Sequence, residues 1–206
     1  MASTLTQWMR TCGKRRVVRA GATLVQRGAE ANTVLLVERG SVILERHEAD
    51  GNQPPVTLCG QGALVGLAAA ILEHRYDVTA TSRTESEVFA VDAALVRGLT
   101  ETQGLGVLVA RALAHEARAL TERCVALQSK TVRERVLAVL AAFSETGGPF
   151  PVRVHLRMQE LAVLVGADQA HVCRVMRSLR DEGLVEYARH RLAIRTALPV
   201  RLAIDA

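Results

Sequence analysis

Aromatic side chains are scarce in this sequence. Phe, Trp and Tyr together make up 3% of its 206 residues, so the large rings that usually dominate a hydrophobic core are few. Hydrophobic residues as a whole still account for 49%. We therefore expect a core built from Val, Leu and Ala, large enough for one sizeable domain or two modest ones.

Long apolar runs are missing as well. No stretch reaches the ~18 consecutive apolar residues of a membrane-spanning helix. The opening residues, MASTLTQWMRTCGKRR, contain no apolar segment of signal-peptide length. The sequence therefore predicts no membrane association and a cytoplasmic location.

The cysteines are scattered and include no C-x-x-C pair, standing at Cys12, Cys59, Cys124 and Cys173. This spacing excludes a typical zinc site or secreted disulfide framework. Between residues 17 and 91 we find no His/carboxylate cluster at metal-ligand spacing, and the chain has no Ser/His/Asp set or phosphate loop. We therefore expect no enzyme, no catalytic residues and no bound metal.

Basic residues outnumber acidic ones, giving a formal charge of +5. From residue 151 to the end, nine Arg face six acidic residues, whereas residues 1–100 carry an excess of only one positive charge. Nearly all the basic residues are Arg, since Lys occurs only at Lys14 and Lys130. The positive charge permits nucleic acid as a partner. Because the excess of Arg lies mainly in the last quarter of the chain, any such contact is expected there.

Short β-rich segments separated by glycines fill residues 17–91, after a helical or irregular lead-in that ends at Lys14-Arg15-Arg16. The clearest predicted strands are 33–38, 41–46, 56–59 and 87–91, with a turn at Asp50-Gly51-Asn52. Alternation is imperfect in 41–46, where Ile43 and Glu45 share one face. This texture predicts a β sandwich or barrel, with a short helix at 66–74 and another at 92–98.

A long helix is predicted from about residue 102 to 130. It carries an a/d seam with spacings of 3, 4, 3, 4 and 3, as a coiled coil requires. The partner could be the same helix of a second subunit or the β domain of the same chain, and charged flanking positions favour a homodimer. The seam residues are Ala110, Leu113, Ala117, Leu120, Cys124 and Leu127.

A helix-turn-helix is predicted between residues 155 and 185, after a helix at 131–144 and a Gly/Pro-containing loop at 145–151. Gly166 can take the positive φ of a tight turn, and Asp168 can cap the second helix. That helix has an apolar face and an Arg-rich face, as a recognition helix in a major groove requires. Its apolar residues are Val172, Val175, Met176 and Leu179, and its polar residues are Gln169, His171, Arg174, Arg177 and Arg180.

Two short β-like runs follow an expected Gly183 cap and flank a basic tip, Ala188-Arg189-His190-Arg191. Such a wing usually lies against phosphates, so Arg189 and Arg191 join the candidate DNA contacts. The helix-turn-helix segment alone also matches an ordinary helical hairpin with a solvated basic face. The wing is what favours DNA binding.

The order of these parts resembles the cyclic-AMP receptor protein and FNR family of bacterial transcription regulators, over nearly the whole chain. The segments VVRAGATLVQRGAEANTVLLVERGSVIL and QELAVLVGADQAHVCRVMRSLRDEGLV carry the resemblance, together with the long helix. It implies an α+β fold: a β roll of jelly-roll type (1–101), a dimerisation helix (102–130) and a winged helix-turn-helix (131–206). It also implies a homodimer on two-fold symmetric double-stranded DNA, with recognition helices ~34 Å apart.

The resemblance also assigns candidate DNA contacts. Arg174 matches an Arg that reads guanine, and Gln159 matches a Gln that contacts the backbone. Arg157 and Met158 stand where the family commonly has a DNA-contacting Thr-Arg pair, so the contact made by that pair is expected to be altered. Met176 is a mild departure, since Leu is usual there.

The first turn of the predicted recognition helix departs from the family in its base-reading position. Gln169 replaces the common Arg or Ser, and Ala170 stands where a base-reading Glu usually lies. Ala cannot accept a hydrogen bond from cytosine. We therefore expect a half-site that keeps a guanine read by Arg174 and loses the neighbouring cytosine preference.

The expected effector pocket also departs from the family. Cyclic-nucleotide members have a Gly-Glu pair and a later Arg that pairs with the cyclic phosphate. Here Leu67 follows Gly66, and the Arg position falls on or near Tyr76, although a one-residue shift would place Arg75 there. A Thr that meets the base aligns with Leu120. These departures argue against cyclic AMP as the effector.

Other sensing chemistries follow from the resemblance. An iron–sulfur cluster needs four ligands, and only Cys12 lies near the start, which argues against one. Haem is an alternative cofactor, since His47, His74 and Cys59 lie in or near the predicted β domain. Their spacing does not identify any of them as a haem ligand. Redox sensing through Cys124 or Cys173 is an alternative to simple buried thiols. The β roll could also be empty.

Three function classes compete. The leading one is a DNA-binding transcription regulator, with RNA polymerase as a further candidate partner. The second is a β-roll sensor that acts through protein contacts after losing DNA affinity, an idea supported by Ala170 and Met158. The third is a metal-dependent β-barrel enzyme, for which the sequence offers no ligand cluster. The effector, the target genes and the direction of regulation do not follow from the sequence.

Overall fold

A computed structural model describes residues 5–46, 55–102, 105–146, 150–188 and 191–198. Its helices are α1 (Leu5–Cys12), α2 (Leu67–Ile71), α3 (Ala93–Glu101), α4 (Gly106–Ser129), α5 (Val132–Thr146), α6 (Met158–Val165) and α7 (Gln169–Asp181). Its strands are β1 (Lys14–Val18), β2 (Thr23–Val25), β3 (Thr33–Arg39), β4 (Val42–Glu45), β5 (Pro55–Cys59), β6 (Leu64–Val65), β7 (Thr79–Ser82), β8 (Ser86–Asp92), β9 (Val152–His155), β10 (Val185–Ala188) and β11 (Arg191–Ile194). Across these ranges, no helix combines the length and the apolar character needed to cross a membrane.

Two four-stranded antiparallel sheets form the N-terminal domain, in the orders β1-β8-β3-β6 and β2-β7-β4-β5. Both sheets contribute to one buried cluster, which contains Leu35 and Val65 from the first and Val42 and Ala80 from the second. A long helix, α4, and a winged helix-turn-helix follow. The predicted α+β architecture is confirmed.

Strand β3 is buried on both of its faces. Leu35 and Val37 face the cluster between the sheets, whereas Val34 and Leu36 join a second cluster with residues from helices α1 to α4. A strand that is covered on both sides needs apolar residues at consecutive positions. This explains why the sequence TVLLVER shows little alternation.

The burial of both faces of strand β4 explains why apolar and polar residues alternate imperfectly in its sequence. Val42 and Leu44 pack inside the roll. Ile43 is fully buried in the core cluster of the C-terminal domain, and Glu45 on the same face is only 5% exposed. The C-terminal domain therefore covers the outer face of β4, and α6 also contacts β5.

The sequence analysis missed two strands. The lead-in, predicted as helical or irregular, contains helix α1, but the basic run Lys14-Arg15-Arg16 at its end forms strand β1 against β8. Arg15 pairs there with Glu87, and charges on such an edge strand discourage pairing with another chain. Residues 152–155 form strand β9. Its sequence, VRVH, alternates apolar and polar residues, which is the pattern of a strand with one buried face. The predicted turn at Asp50-Gly51-Asn52 lies outside the described residues.

The connection between α4 and α5 is fixed by one guanidinium. Arg135 Nη1 donates to the carbonyl oxygens of Leu127 and Lys130 at the end of α4. Its Nη2 donates to the carbonyl oxygen of Gly166 in the helix-turn-helix turn. A cation at a helix C-terminus is favourable because the last carbonyls carry partial negative charge. The boundary that the family resemblance implies between residues 130 and 131 lies in this connection.

Gly40 and Gly28 offer a matched test of backbone strain, since their φ angles are +91° and +80°. A Cβ at Gly40 would lie 2.6 Å from the Glu85 carbonyl oxygen, whereas a Cβ at Gly28 would meet nothing within 4 Å. We expect Gly28→Ala to cost about 1–2 kcal/mol of unfolding free energy through the left-handed conformation alone. Gly40→Ala should cost roughly 1–3 kcal/mol more. Urea unfolding of the roll measures both, and equal losses would contradict the tight contact at Gly40.

Candidate nucleic-acid interface

The turn between α6 and α7 has the geometry that the sequence predicted. Gly166 ends α6 with a φ of 67°, in the left-handed region. Asp168 Oδ1 accepts a hydrogen bond of 2.9 Å from the backbone N–H of His171. Gly183, after α7, also has a positive φ of 75°. These three predictions are confirmed, and together they fix where α7 begins and ends.

One face of α7 is anchored in the core. Its four predicted apolar residues all lie between 0% and 9% exposed, in one cluster with residues from α5 and α6. Helix α5 packs against both α6 and α7. Because three helices share this core, α7 cannot rotate about its axis without exposing apolar surface. The residues are Val172, Val175, Met176 and Leu179.

The opposite face of α7 is open to solvent. Gln169, Ala170, Arg174 and Arg177 are exposed, and His171 is half-buried. Arg180 differs from the rest of the polar face. It donates to Asp181 and lies over the Tyr187 ring, with its Cζ 5.8 Å from the ring centroid. The structure therefore brings all five predicted contacts of this helix onto its polar side.

The wing is a three-stranded antiparallel sheet in the order β10-β11-β9. Arg191 begins β11 and is exposed, with Leu192 beside it buried. The predicted contact Arg189 lies outside the described residues, as does His190. Strand β9 was missing from the sequence prediction, and it ties the wing to the segment that precedes α6.

The start of α6 places two more predicted contacts at the surface. Arg157 and Gln159 are exposed, whereas Glu160 is 3% exposed. Glu160 closes a capping box, because its Oε2 accepts a 2.7 Å hydrogen bond from the Arg157 N–H. Its Oε1 accepts from the Arg157 guanidinium and also from Arg83 of the β roll. No pattern in the sequence indicated this role of Arg83.

An open, mostly apolar cavity of about 570 Å³ lies between the β roll and α4. This volume falls within the range of small-molecule sites. Polar groups reach it mainly from α4, where Arg111, His115, Glu116 and Arg123 line it. The apolar walls include Leu44, Leu58, Leu64, Leu108 and Leu120.

The other predicted effector residues lie away from this cavity. Tyr76 is 6% exposed, and its hydroxyl donates to the Thr33 carbonyl. A Cβ added to Gly66 would come within 2.7 Å of the Tyr76 ring, so this ring fills the space beneath the glycine. Leu67 is 1% exposed in the apolar cluster under α1 to α4. Arg75 is exposed and donates to the Gly28 carbonyl. Of the five predicted residues, Leu120 alone lines the cavity.

The predicted seam on α4 is exposed over most of its length. Ala110, Ala117 and Cys124 are exposed. Leu113 packs in part against the cluster under α1 to α4, and Leu120 lines the cavity. Leu127 approaches the turn at Gly166, where a Cβ would lie 2.5 Å from its Cδ2. Leu120 and Leu127 are nevertheless 54% and 41% exposed, so apart from Leu113 the seam residues are accessible to a second helix. The dimer seam as a whole stays a prediction.

The cysteines occupy different environments. Cys59 is buried in the wall of the cavity, Cys12 and Cys124 are exposed, and Cys173 is half-buried on α7. Burial, with a smaller contribution from the Glu116 carboxylate, raises the pKa of the Cys59 thiol to about 12. Burial also raises the pKa of Glu116.

The structure describes two of the three haem candidates. His74 is exposed and Cys59 is buried, while His47 lies outside the described residues. Over the described ranges, no group of three or more His, Cys, Asp or Glu residues could hold a metal ion.

Comparisons with known proteins agree with this architecture. The sequence-family model of the cyclic nucleotide-binding domain matches residues 15–103. The family model of the Crp-like helix-turn-helix domain matches residues 134–199. The chain is 29% identical over 191 residues to the cyclic AMP receptor protein of Thermus thermophilus, covering 89% of this chain and 85% of that protein.

Solved structures share the fold. A transcriptional regulator of the CRP family from Thermus thermophilus matches with a TM-score of 0.67 and 24% identity, over 89% of this chain and 92% of that one. The c-di-GMP responsive global regulator of Xanthomonas campestris matches with a TM-score of 0.62 and 21% identity, over 93% and 98% of the respective chains.

The thiols should differ sharply in reactivity. At pH 8 we expect a maleimide reagent to label Cys12 and to leave Cys59 unlabelled, because the thiolate is the reacting form and Cys59 has a pKa of about 12. Mass spectrometry of the labelled peptides measures both rates, and Cys59→Ser is the control for peptide assignment. Unfolding in guanidinium should release Cys59. Equal labelling of the two thiols in the folded protein would contradict the buried placement.

Proposed function

This chain is a transcription regulator of the CRP/FNR family with a helix-turn-helix DNA-binding domain, and we propose that it acts as a homodimer on two-fold symmetric DNA without responding to cyclic AMP. The observation that carries the proposal is the α7 helix, whose apolar face is locked into a core while its polar face is open. A helix held in this way can present side chains to base edges in a major groove.

The residues on and around α7 divide into two kinds of contact. Arg174 can donate two hydrogen bonds to a guanine edge, which is the commonest specific contact in a major groove. Arg157, Gln159 and Arg191 lie at element ends, where side chains usually meet phosphates and set the register. The first kind determines the sequence preference, and the second determines the affinity and its dependence on salt.

Dimerisation is supported by the exposed face of α4. The small seam residues Ala110, Ala117 and Cys124 are exposed and would let a second helix approach closely, and the seam residues Leu120 and Leu127 are 54% and 41% exposed. Exposed apolar side chains aligned on one long helix favour a partner. A symmetric partner would place a second α7 about one turn of DNA away, ~34 Å.

The proposal that this chain does not respond to cyclic AMP is supported by the β roll. A cyclic phosphate needs a bidentate cation and free backbone donors. Here Leu67 replaces the family's Glu, the Tyr76 ring fills the space beneath Gly66, and Arg75 donates to Gly28 instead. The apolar cavity against α4 remains a candidate site for a different small molecule. We propose neither an iron–sulfur cluster nor haem as a resident cofactor.

A second candidate function is a sensor that works through protein contacts with weak DNA binding. The exposed Ala170 favours it, because the first turn of α7 lacks the acceptor that the family uses there. Salt-dependent binding distinguishes the two candidates, since phosphate contacts release counterions and give a steep slope.

Selection from a random duplex pool tests the proposal directly. Purified protein in reducing buffer without added ligand should enrich a symmetric motif with a guanine in each half-site. If nothing is enriched, the selection is repeated with a small-molecule extract. Failure in both conditions would contradict DNA regulation and favour the sensor.

Arg174→Ala and Arg191→Gln should have different consequences. We expect Arg174→Ala to cost about 1–3 kcal/mol on the selected site and to relax the guanine preference. Arg191→Gln should weaken binding to all duplexes alike and reduce the salt slope by about 0.9 per half-site. Arg19→Gln, an exposed residue of the roll, is the control with the same change of charge. Loss of sequence preference in Arg191→Gln would contradict these roles.

Ala170→Glu should narrow the specificity. A carboxylate at this exposed position can accept a hydrogen bond from the cytosine amino group, so we expect the variant to gain a cytosine preference beside the guanine. The wild-type protein should show no such preference. Parallel selections with both proteins measure the change, and a wild-type protein that already selects the standard family half-site would refute the role assigned to Ala170.

A further inference from the structure

The carboxylate of Glu160 is shared between the two domains. Arg83, in the turn between β7 and β8, has its Nη2 atom 2.6 Å from Glu45 Oε1 and 2.9 Å from Glu160 Oε1. The side chains of Arg83, Glu45 and Glu160 are 14%, 6% and 4% exposed, respectively. A cation of the β roll thus reaches the first helix of the helix-turn-helix in a setting that water scarcely screens.

The same oxygen of Glu160 accepts a second guanidinium. Arg157 Nη2 lies 3.0 Å from Glu160 Oε1, and the Arg157 side chain is 53% exposed. Two cations therefore share one oxygen atom, one from the roll and one from the predicted DNA-contacting surface. We call Glu45, Arg83, Glu160 and Arg157 the charge cluster.

The roll side of the charge cluster is firmly held. Thr81 Oγ1 donates to Glu45 Oε2 at 3.1 Å, and the Arg83 backbone N–H donates to the Ser41 carbonyl. The Arg83 carbonyl in turn accepts from the backbone N–H of His155, at 3.3 Å. Arg83 therefore occupies a fixed place, whereas Arg157 has one exposed, movable end.

Because Arg83 and Arg157 share one acceptor, the presence of Arg83 changes how tightly Glu160 holds Arg157. When Arg83 occupies Glu160 Oε1, its positive charge repels Arg157 and weakens the hold of Glu160 on it. Without Arg83, Glu160 would have Arg157 as its only cation in the charge cluster, and the pair would tighten at the expense of any other anion. A DNA phosphate that takes Arg157 would leave Oε1 wholly to Arg83. By linkage, domain contact and phosphate binding then support each other.

We propose that Arg83 is a positioning residue for DNA binding: by sharing the Glu160 carboxylate it weakens the hold of Glu160 on Arg157, so that Arg157 can leave this pair for a phosphate. The inference rests on the proposed function, since it needs Arg157 to meet DNA. A purely stabilising role is a weaker account, because buried ion pairs often add little net stability over apolar contacts.

Arg83→Gln is the first test. Glu160 should then capture Arg157, so we expect about tenfold weaker binding to the selected duplex at moderate salt. The salt slope should fall by about 0.9 per half-site, the equivalent of one lost phosphate contact. Arg15→Gln is the matched control, because it also removes an Arg–Glu pair of the roll but at a side chain that is 63% exposed. It should leave both the affinity and the slope unchanged.

Glu45→Gln should act in the opposite direction. It gives Arg83 wholly to Glu160, so Arg157 is held less and binding should strengthen by about fivefold. A structural role alone would predict weaker binding in both variants. Arg83→Lys, which keeps the charge, should restore much of the salt slope. Thermal unfolding of each variant shows whether it is folded, and Glu45→Gln still decides the matter if Arg83→Gln does not fold.

A double-mutant cycle with Glu160→Gln completes the test. The amide oxygen of Gln can still accept from the Arg157 N–H in the capping box. The side chain has no negative charge, however, so it attracts neither guanidinium as the Glu160 carboxylate does. In this background Arg83→Gln should no longer change the salt slope. The inference is overturned if Arg83→Gln lowers the slope equally with and without the Glu160→Gln change, or if it leaves the slope unchanged when Glu160 is present. A wild-type protein that binds no duplex at all would instead overturn the proposed function itself.

Discussion

The contact between the outer face of β4 and the winged-helix domain is the constraint on which the rest of this structure depends. Ile43 enters the core cluster of the C-terminal domain, and Glu45 and Arg83 reach Glu160 beside it. Ile43 and the neighbouring Leu58 thus hold the two domains together. The ion pairs fix their orientation, because charges with little access to water must find partners at close range. The position of α6 relative to the roll follows from this contact.

From α6 the constraint passes to the DNA-binding surface. Gly166 and Asp168 set the turn into α7, and Arg135 ties that turn to the end of α4. The polar face of α7 is therefore placed by three elements from different parts of the chain. A movement of α4 or of the roll would reach α7 through these bonds, which gives a physical route by which occupancy of the cavity could alter DNA binding.

Local physics made much of the fold and the interface predictable. The apolar face of α7, the glycine turn and the Asp168 cap depend on residues a few positions apart, so the sequence pattern carried them. Strand β9 had a local signal as well, in the alternation of VRVH, but it was overshadowed by the helical pattern that follows. The long helix was correctly located, and five of its six predicted seam residues are exposed in the structure.

The sequence by itself determined the parts: a β roll, a long helix, and a helix-turn-helix with one apolar and one basic face. Each depends on periodicity and capping within a short stretch of chain. Only the tertiary structure decided that Ile43 and Glu45 face another domain, that the Tyr76 ring lies beneath Gly66, and that Arg83 shares an oxygen with Arg157. Arg83 and Glu160 are 77 positions apart in the chain, and no local pattern records which distant surface will cover a given side chain.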